Sequence, residues 1–173
     1  MDYRETAPSG ATKDMYLDGN GNAINDKSLY GHLSAGVPGT VAGLFASHRF
    51  AQLSMQVLIQ PAIELAEKGF VITEAEARSL NNAKETFERY NTQIPVFVKT
   101  GGWKKGDTLI QADLANTLKR IKDNGQKGFY EGTTAALIVE EMKRGKGLIS
   151  LEDLKTTPLN SERHNVWITE ATA

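Results

Sequence analysis

Apolar residues recur at three- and four-residue spacing along most of this chain, the period of a helix with one buried face. Val41, Leu44, Phe45 and His48 share such a face and predict a helix from Thr40 to about Arg49, entered through Pro38, which suits a first helical turn. Val57, Leu58, Ala62, Leu65 and Ala66 predict a second from about Ser54 to Lys68, with Pro61 kinking it or marking a restart and Gly69 capping its end. After Phe70-Val71-Ile72, the run Thr73-Glu74-Ala75-Glu76 reads as a capping box. It opens a helix to about Tyr90 that turns Leu80, Ala83, Phe87 and Tyr90 inward and its charges to solvent. Leu109 to Lys122 follows with Leu114, Leu118 and Ile121 inward, stopping near Asn124-Gly125. A turn at Phe129-Tyr130 precedes a helix from about Thr133 to Arg144 that buries Ala136, Val139 and Met142 and ends at Gly145 and Gly147. Ser150-Leu151-Glu152-Asp153 then starts a short helix behind a serine N-cap.

Three stretches break this rhythm. Tyr3 to about Lys13 is extended or loop. Met15-Tyr16-Leu17 and Ala23-Ile24 flank Asp18-Gly19-Asn20-Gly21-Asn22, the makings of a small β-hairpin. Gln93 to Gly106 is a loop with room for one short strand at Val96-Phe97-Val98. The fold class expected is therefore mostly α with a few short strands (α+β). Strands so few make no sheet of their own, so these helices need a further layer and the chain reads as part of a larger domain. A length of 173 residues suits one domain or a slice of one, and no fixed-period repeat is present.

Composition narrows the function. A formal charge of −1 without a clustered basic run gives no argument for nucleic acid, and Trp103 beside Lys104 and Lys105 is expected to pack its ring on the domain. The absence of cysteine excludes disulfides and thiolate chemistry. No apolar run approaches the roughly 20 residues of a membrane span. Met1-Asp2-Tyr3-Arg4-Glu5 does not resemble a signal peptide, so the chain as written is expected to stay where it is made.

The densest turn chemistry lies in Gly31-His32-Leu33-Ser34-Ala35-Gly36-Val37-Pro38-Gly39-Thr40-Val41-Ala42-Gly43. A glycine-rich loop before a helix can bind phosphate through free amides. Without a Gly-Lys-Ser/Thr ending or a GxGxxG after a strand, close backbone packing is the stronger reading. His32, His48 and His164 form no HxxxH or HExxH pair, no serine sits in GxSxG, and Asp18 to Asn22 lacks the acidic ligands of a calcium loop, so no metal or cofactor is expected. Glu64 with Glu67 and Glu140 with Glu141 read as exposed helix carboxylates. One polar residue in a shaped context remains: Arg4, in Arg4-Glu5-Thr6-Ala7-Pro8, whose planar guanidinium can take a carboxylate with two hydrogen bonds.

In order along the chain stand Arg4-Glu5-Thr6-Ala7-Pro8, Ala35-Gly36-Val37-Pro38-Gly39-Thr40-Val41-Ala42-Gly43, Gln60-Pro61-Ala62, Lys105-Gly106-Asp107-Thr108-Leu109, Gly128-Phe129-Tyr130-Glu131-Gly132 and Glu152-Asp153-Leu154. Together they resemble the large subunit of γ-glutamyltranspeptidase (glutathione hydrolase) over about Asp2 to Leu154. The expected division is thus 1–154, large-subunit-like, and 155–173, a divergent tail from Thr156-Thr157-Pro158 onward. The resemblance implies a partial piece of an αββα N-terminal-nucleophile hydrolase sandwich, which arises when a precursor cuts itself into two subunits. The small subunit's N-terminal threonine attacks the γ-glutamyl amide of glutathione or a related compound, its own α-amine acting as base, and the acyl group passes to water or an amino acid. Arg4 would be the arginine that binds the substrate α-carboxylate. The implied partner is the small subunit, and the family is periplasmic or extracellular. Neither Thr133-Thr134 nor Thr156-Thr157 reads as a processing site, so the expectation is a truncated large-subunit segment, inactive alone. The alternatives are a large subunit completed by a separately encoded small subunit and a non-enzymatic helical interaction module.

Overall fold

Seven α-helices, a 3-10 turn at His32–Ser34 and one two-stranded ribbon organise residues 3–156, the part of the chain that the structure, a computed structural model, describes. The expected tail lies beyond these residues from Thr157 on, His164 included. The helices are α1 (Thr40–His48), α2 (Met55–Lys68), α3 (Glu74–Tyr90), α4 (Ala112–Asn124), α5 (Lys127–Tyr130), α6 (Gly132–Gly145) and α7 (Leu151–Lys155). The strands are β1 (Phe70–Val71) and β2 (Thr108–Leu109), antiparallel, with Phe70 opposite Leu109 and Val71 opposite Thr108. The expected α+β class, mostly helical with few strands, is what is found.

Local signals placed most ends. The capping box at Thr73 is formed in full, and Gly69 closes α2 at φ 79°, a conformation glycine tolerates. α2 runs through Pro61 without interruption, and Val57, whose carbonyl the proline leaves without its helical donor, is half exposed and open to water. Other boundaries moved. α4 begins at Ala112 because Thr108 and Leu109 are drawn into β2, a pairing with residues far away in sequence that local periodicity does not report. The turn expected at Phe129-Tyr130 is the single helical turn α5. It lies so close on α4 that a Cβ at Gly128 would collide with the Arg120 carbonyl. No strand forms at Val96–Val98, and the expected hairpin narrows to one bridge, Leu17 with Ala23.

The residues that are buried differ more than the boundaries do. Two apolar clusters form the interior: Val37, Ala42, Tyr130, Ala135, Ile149 and Leu154 in one, and Ile72, Ala77, Trp103 and Leu109 in the other. Trp103 packs into the body as expected, its indole N–H donating to the Phe97 carbonyl at 2.7 Å. In α1, however, the buried residues are Ala42 and Gly43, and in α2 they are Ile63 and Ala66. Leu44, Val57, Leu58 and Leu65, read as core, are all at least 45% exposed. In α4 and α6 the deepest positions are likewise Ala115, Ile121, Thr134 and Ala135, while Leu114 and Ala136 are exposed. Apart from Ile63 and Ile121, the buried positions in these helices are small residues, which let backbones approach. Leu44 and Leu58, with Phe45, Ile59 and Leu118, wall an open apolar groove of about 460 Å³ between α1, α2 and α4.

Candidate functional site

The segment carrying Arg4 is held along its length by backbone contacts. Thr6 and Val37 exchange both main-chain hydrogen bonds, Thr6 N–H to Val37 O at 3.3 Å and Val37 N–H to Thr6 O at 2.8 Å. Beneath it lie three glycines. A Cβ at Gly36 would stand 2.7 Å from Glu5 Cγ, one at Gly43 2.5 Å from Tyr3 Cβ, and one at Gly39 would collide with the Tyr3 carbonyl oxygen. None of the three has a positive φ, so what they supply is absence of a side chain. The glycine-rich stretch is thus a bed for Tyr3 to Thr6.

Nor does the head of α1 offer amides to an anion in the way a phosphate loop does. The Ala42 N–H donates to the Tyr130 hydroxyl at 3.1 Å, and that hydroxyl donates on to the Pro38 carbonyl at 2.9 Å. Burial pushes the Tyr130 hydroxyl above its ordinary pKa, against the opposing hydrogen bond from Ala42, so it stays a phenol. Downstream of Arg4, Pro8 is buried and the Ser9 N–H donates to Asp153 Oδ1 at 2.8 Å, tying the segment to α7.

On this fixed backbone the Arg4 side chain is 81% exposed, with Nη2 3.4 Å from Glu5 Oε1, itself on a side chain 59% exposed. A long ion pair between exposed groups is worth little. The arrangement leaves the Arg4 guanidinium at the surface, two residues from the bridge between Thr6 and Val37.

The remaining candidates fall elsewhere. Glu64 and Glu67 are surface carboxylates, Glu64 bonded to Gln60 and Lys68, Glu67 paired with Lys119 of α4. Glu140 pairs with Arg144, but Glu141 is no ordinary surface carboxylate. It accepts from the Thr92 hydroxyl at 2.6 Å, meets His32 Nε2 at 2.6 Å and pairs with Arg144. The Thr92 hydrogen bond, aided by His32 and Arg144 and opposed by burial, holds its pKa at about 2. His48 bonds the Leu53 carbonyl. Thr134 is buried in α6, its hydroxyl donating to the Gly128 carbonyl and accepting from Arg120. Among the described residues no group of three or more His, Asp or Glu is arranged to hold a metal, and no helix is long and apolar enough to cross a membrane. Sequence reasoning missed Asp153 as a partner of the Arg4 segment. It saw only a helix start, and the sole further signal was an aspartate, shorter than glutamate, at the third position of that helix.

The family described as gamma-glutamyltranspeptidase matches residues 1–163. The glutathione hydrolase proenzyme of Escherichia coli K12 is 43% identical over 157 residues, covering 89% of this chain and 27% of that protein. The capsule biosynthesis protein CapD proenzyme of Bacillus anthracis is 41% identical, covering 90% of this chain and 25% of its own length. The crystal structure of Helicobacter pylori gamma-glutamyltranspeptidase superposes with a TM-score of 0.86 at 44% identity, over 91% of this chain and 46% of that one. The chain therefore spans about a quarter of the length of the curated relatives it matches. By sequence and by fold, it belongs to the γ-glutamyltranspeptidase family.

Proposed function

We propose that this chain, as the large-subunit-like region 1–154, supplies the carboxylate-binding wall of a γ-glutamyl transfer site and is silent without the subunit that brings the nucleophile. Arg4 takes the α-carboxylate of glutathione or another γ-glutamyl compound through two charge-assisted hydrogen bonds. That fixes the γ-amide carbonyl in front of a threonine at the head of a small subunit. Its hydroxyl attacks, its own α-amine accepts the proton, and the acyl-enzyme is resolved by water or an amino acid. The observation carrying this reading is the exposed Arg4 guanidinium on a segment held by Val37 and the glycine bed. The engagement of Thr134 inside α6 supports a nucleophile from outside the described residues. The exposed apolar residues Leu44, Phe50, Leu53 and Val57 favour a piece of a larger assembly over a free-standing interaction module.

The test is release of nitroaniline from γ-glutamyl-p-nitroanilide by the chain alone and mixed with a small subunit of a family member. The expected result is no turnover alone, turnover in the mixture, and a loss of about a hundredfold in kcat/KM with Arg4→Ala. Turnover by the chain alone sinks the dependence on a partner, and an Arg4→Ala mixture as active as wild type sinks the carboxylate role.

A further inference from the structure

We propose that Asp153 is a positioning residue for substrate recognition: through the Ser9 amide it holds the segment that carries Arg4 in place on its glycine bed. This rests on the reading of Arg4 as the carboxylate binder, and it assigns a role to a residue whose sequence context speaks only of a helix start.

The two oxygens of Asp153 do different work. Oδ2 belongs to the head of α7, accepting from the Ser150 amide at 2.9 Å and the Ser150 hydroxyl at 2.7 Å. Oδ1 accepts the Ser9 N–H at 2.8 Å, from a segment 144 residues away. A cap alone needs one oxygen, and the second reaches across to the chain that carries Arg4. Between Ser9 and Arg4 lie a buried proline at position 8, whose ring fixes one backbone torsion, and the Thr6–Val37 bridge, so the path from Ser9 to Arg4 is short and twice constrained. Upstream, Tyr3 is trapped against Gly39 and Gly43. Arg4 therefore sits between an upstream stop made of glycines and two downstream ties, the Thr6–Val37 bridge and the Asp153 carboxylate at Ser9. Asp153 is only 8% exposed. Burial works to raise its pKa, but hydrogen bonds from Ser150 and Ser9 outweigh it and hold the group at about 2, so the anchor is anionic under any assay condition near neutrality.

Loss of the anchor would let the guanidinium wander from the geometry that matches two carboxylate oxygens. Recognition should suffer before chemistry does, because Asp153 touches no reacting group. The control is Ser150→Ala, which removes a hydroxyl from the same helix cap but leaves Oδ1 and its bond to Ser9 in place.

Two measurements test this on Asp153→Ala and Ser150→Ala. In the 173-residue chain, amide exchange at Thr6, Ser9 and Val37 is followed by NMR. In the chain mixed with a family small subunit, KM and kcat for γ-glutamyl-p-nitroanilide are determined, with Arg4→Ala alongside. Asp153→Ala should speed exchange at all three amides and raise KM about tenfold with kcat changed less than twofold, while Ser150→Ala behaves as wild type in both. Unchanged exchange in Asp153→Ala overturns the proposal whatever Arg4 does, as does an equal KM rise in Ser150→Ala, which would mark a general loss of folding. A wild-type KM in Asp153→Ala beside a raised KM in Arg4→Ala overturns the positioning role alone. A wild-type KM in Arg4→Ala removes the carboxylate reading and the positioning role with it.

Discussion

Two helix heads in this molecule are built to the same local plan and serve different ends. At α3 the Thr73 amide and hydroxyl both donate to Glu76 Oε2, at 2.7 and 2.8 Å, and the Glu76 amide returns to the Thr73 hydroxyl at 3.2 Å. At α7 the Ser150 amide and hydroxyl donate to Asp153 Oδ2, and the Asp153 amide returns to the Ser150 hydroxyl at 3.1 Å. The first box is exposed and closed on itself. The second is folded into the interior and passes its spare oxygen to Ser9. Hydrogen bonds from Thr73 lower the pKa of Glu76, whereas Asp153 reaches about 2 against the burial that works to raise it. A capping box is a unit of local structure. Where the surrounding fold buries it, its carboxylate becomes a long-range fastener as well.

That comparison can be broken most strongly at Asp153. Asp153→Ala should cost about 2–3 kcal/mol in urea unfolding, since it removes a cap and leaves the Ser9 amide without its acceptor. A cost no larger than that of an ordinary cap would mean that the tie to Ser9 holds nothing.

Acid titration sharpens the same point. Asp153 and Glu141 have folded pKa values near 2, below their ordinary ones, so each stabilises the fold above its ordinary pKa and loses that contribution as the pH falls from about 5 toward 2. The stability gap between wild type and Asp153→Ala should accordingly narrow over that window. A gap independent of pH would show that the carboxylate charge is not what matters there.

The smallest effect is expected at the exposed box. Thr73→Ala should cost about 0.5–1 kcal/mol and leave amide exchange at Thr6 and Ser9 untouched. Faster exchange there would contradict the local character of that cap.

How far the sequence could be read follows the same division between local and distant causes. Thr73, Gly69 and Ser150 announced their helix ends because caps and positive φ are decided within a few residues. Leu80, Ala83, Phe87 and Tyr90 of α3 do turn away from solvent relative to the charges between them. The apolar stripes of α1 and α2 were misread, because periodicity reports which side is apolar and not which part of it another element will cover. Ala42, Gly43, Ile63 and Ala66 are covered, while Leu44 and Val57 face outward. The ribbon of β1 and β2 and the brevity of α5 depended on contacts between distant segments. At the site, the proposal for Arg4 comes from its residue type and the motifs around it, and the spacing of Gly36, Gly39 and Gly43 hinted at close packing without naming its occupant.

The sequence by itself determined the family, the helical character and the caps, since motif order and turn chemistry are written in neighbouring residues. Only the tertiary structure decided that the glycines cradle Tyr3 to Thr6, that the Tyr130 hydroxyl closes the head of α1, and that Asp153 fastens Ser9. Each of these is a contact between segments with no common local pattern, and packing chooses among such partners only when the whole chain is folded.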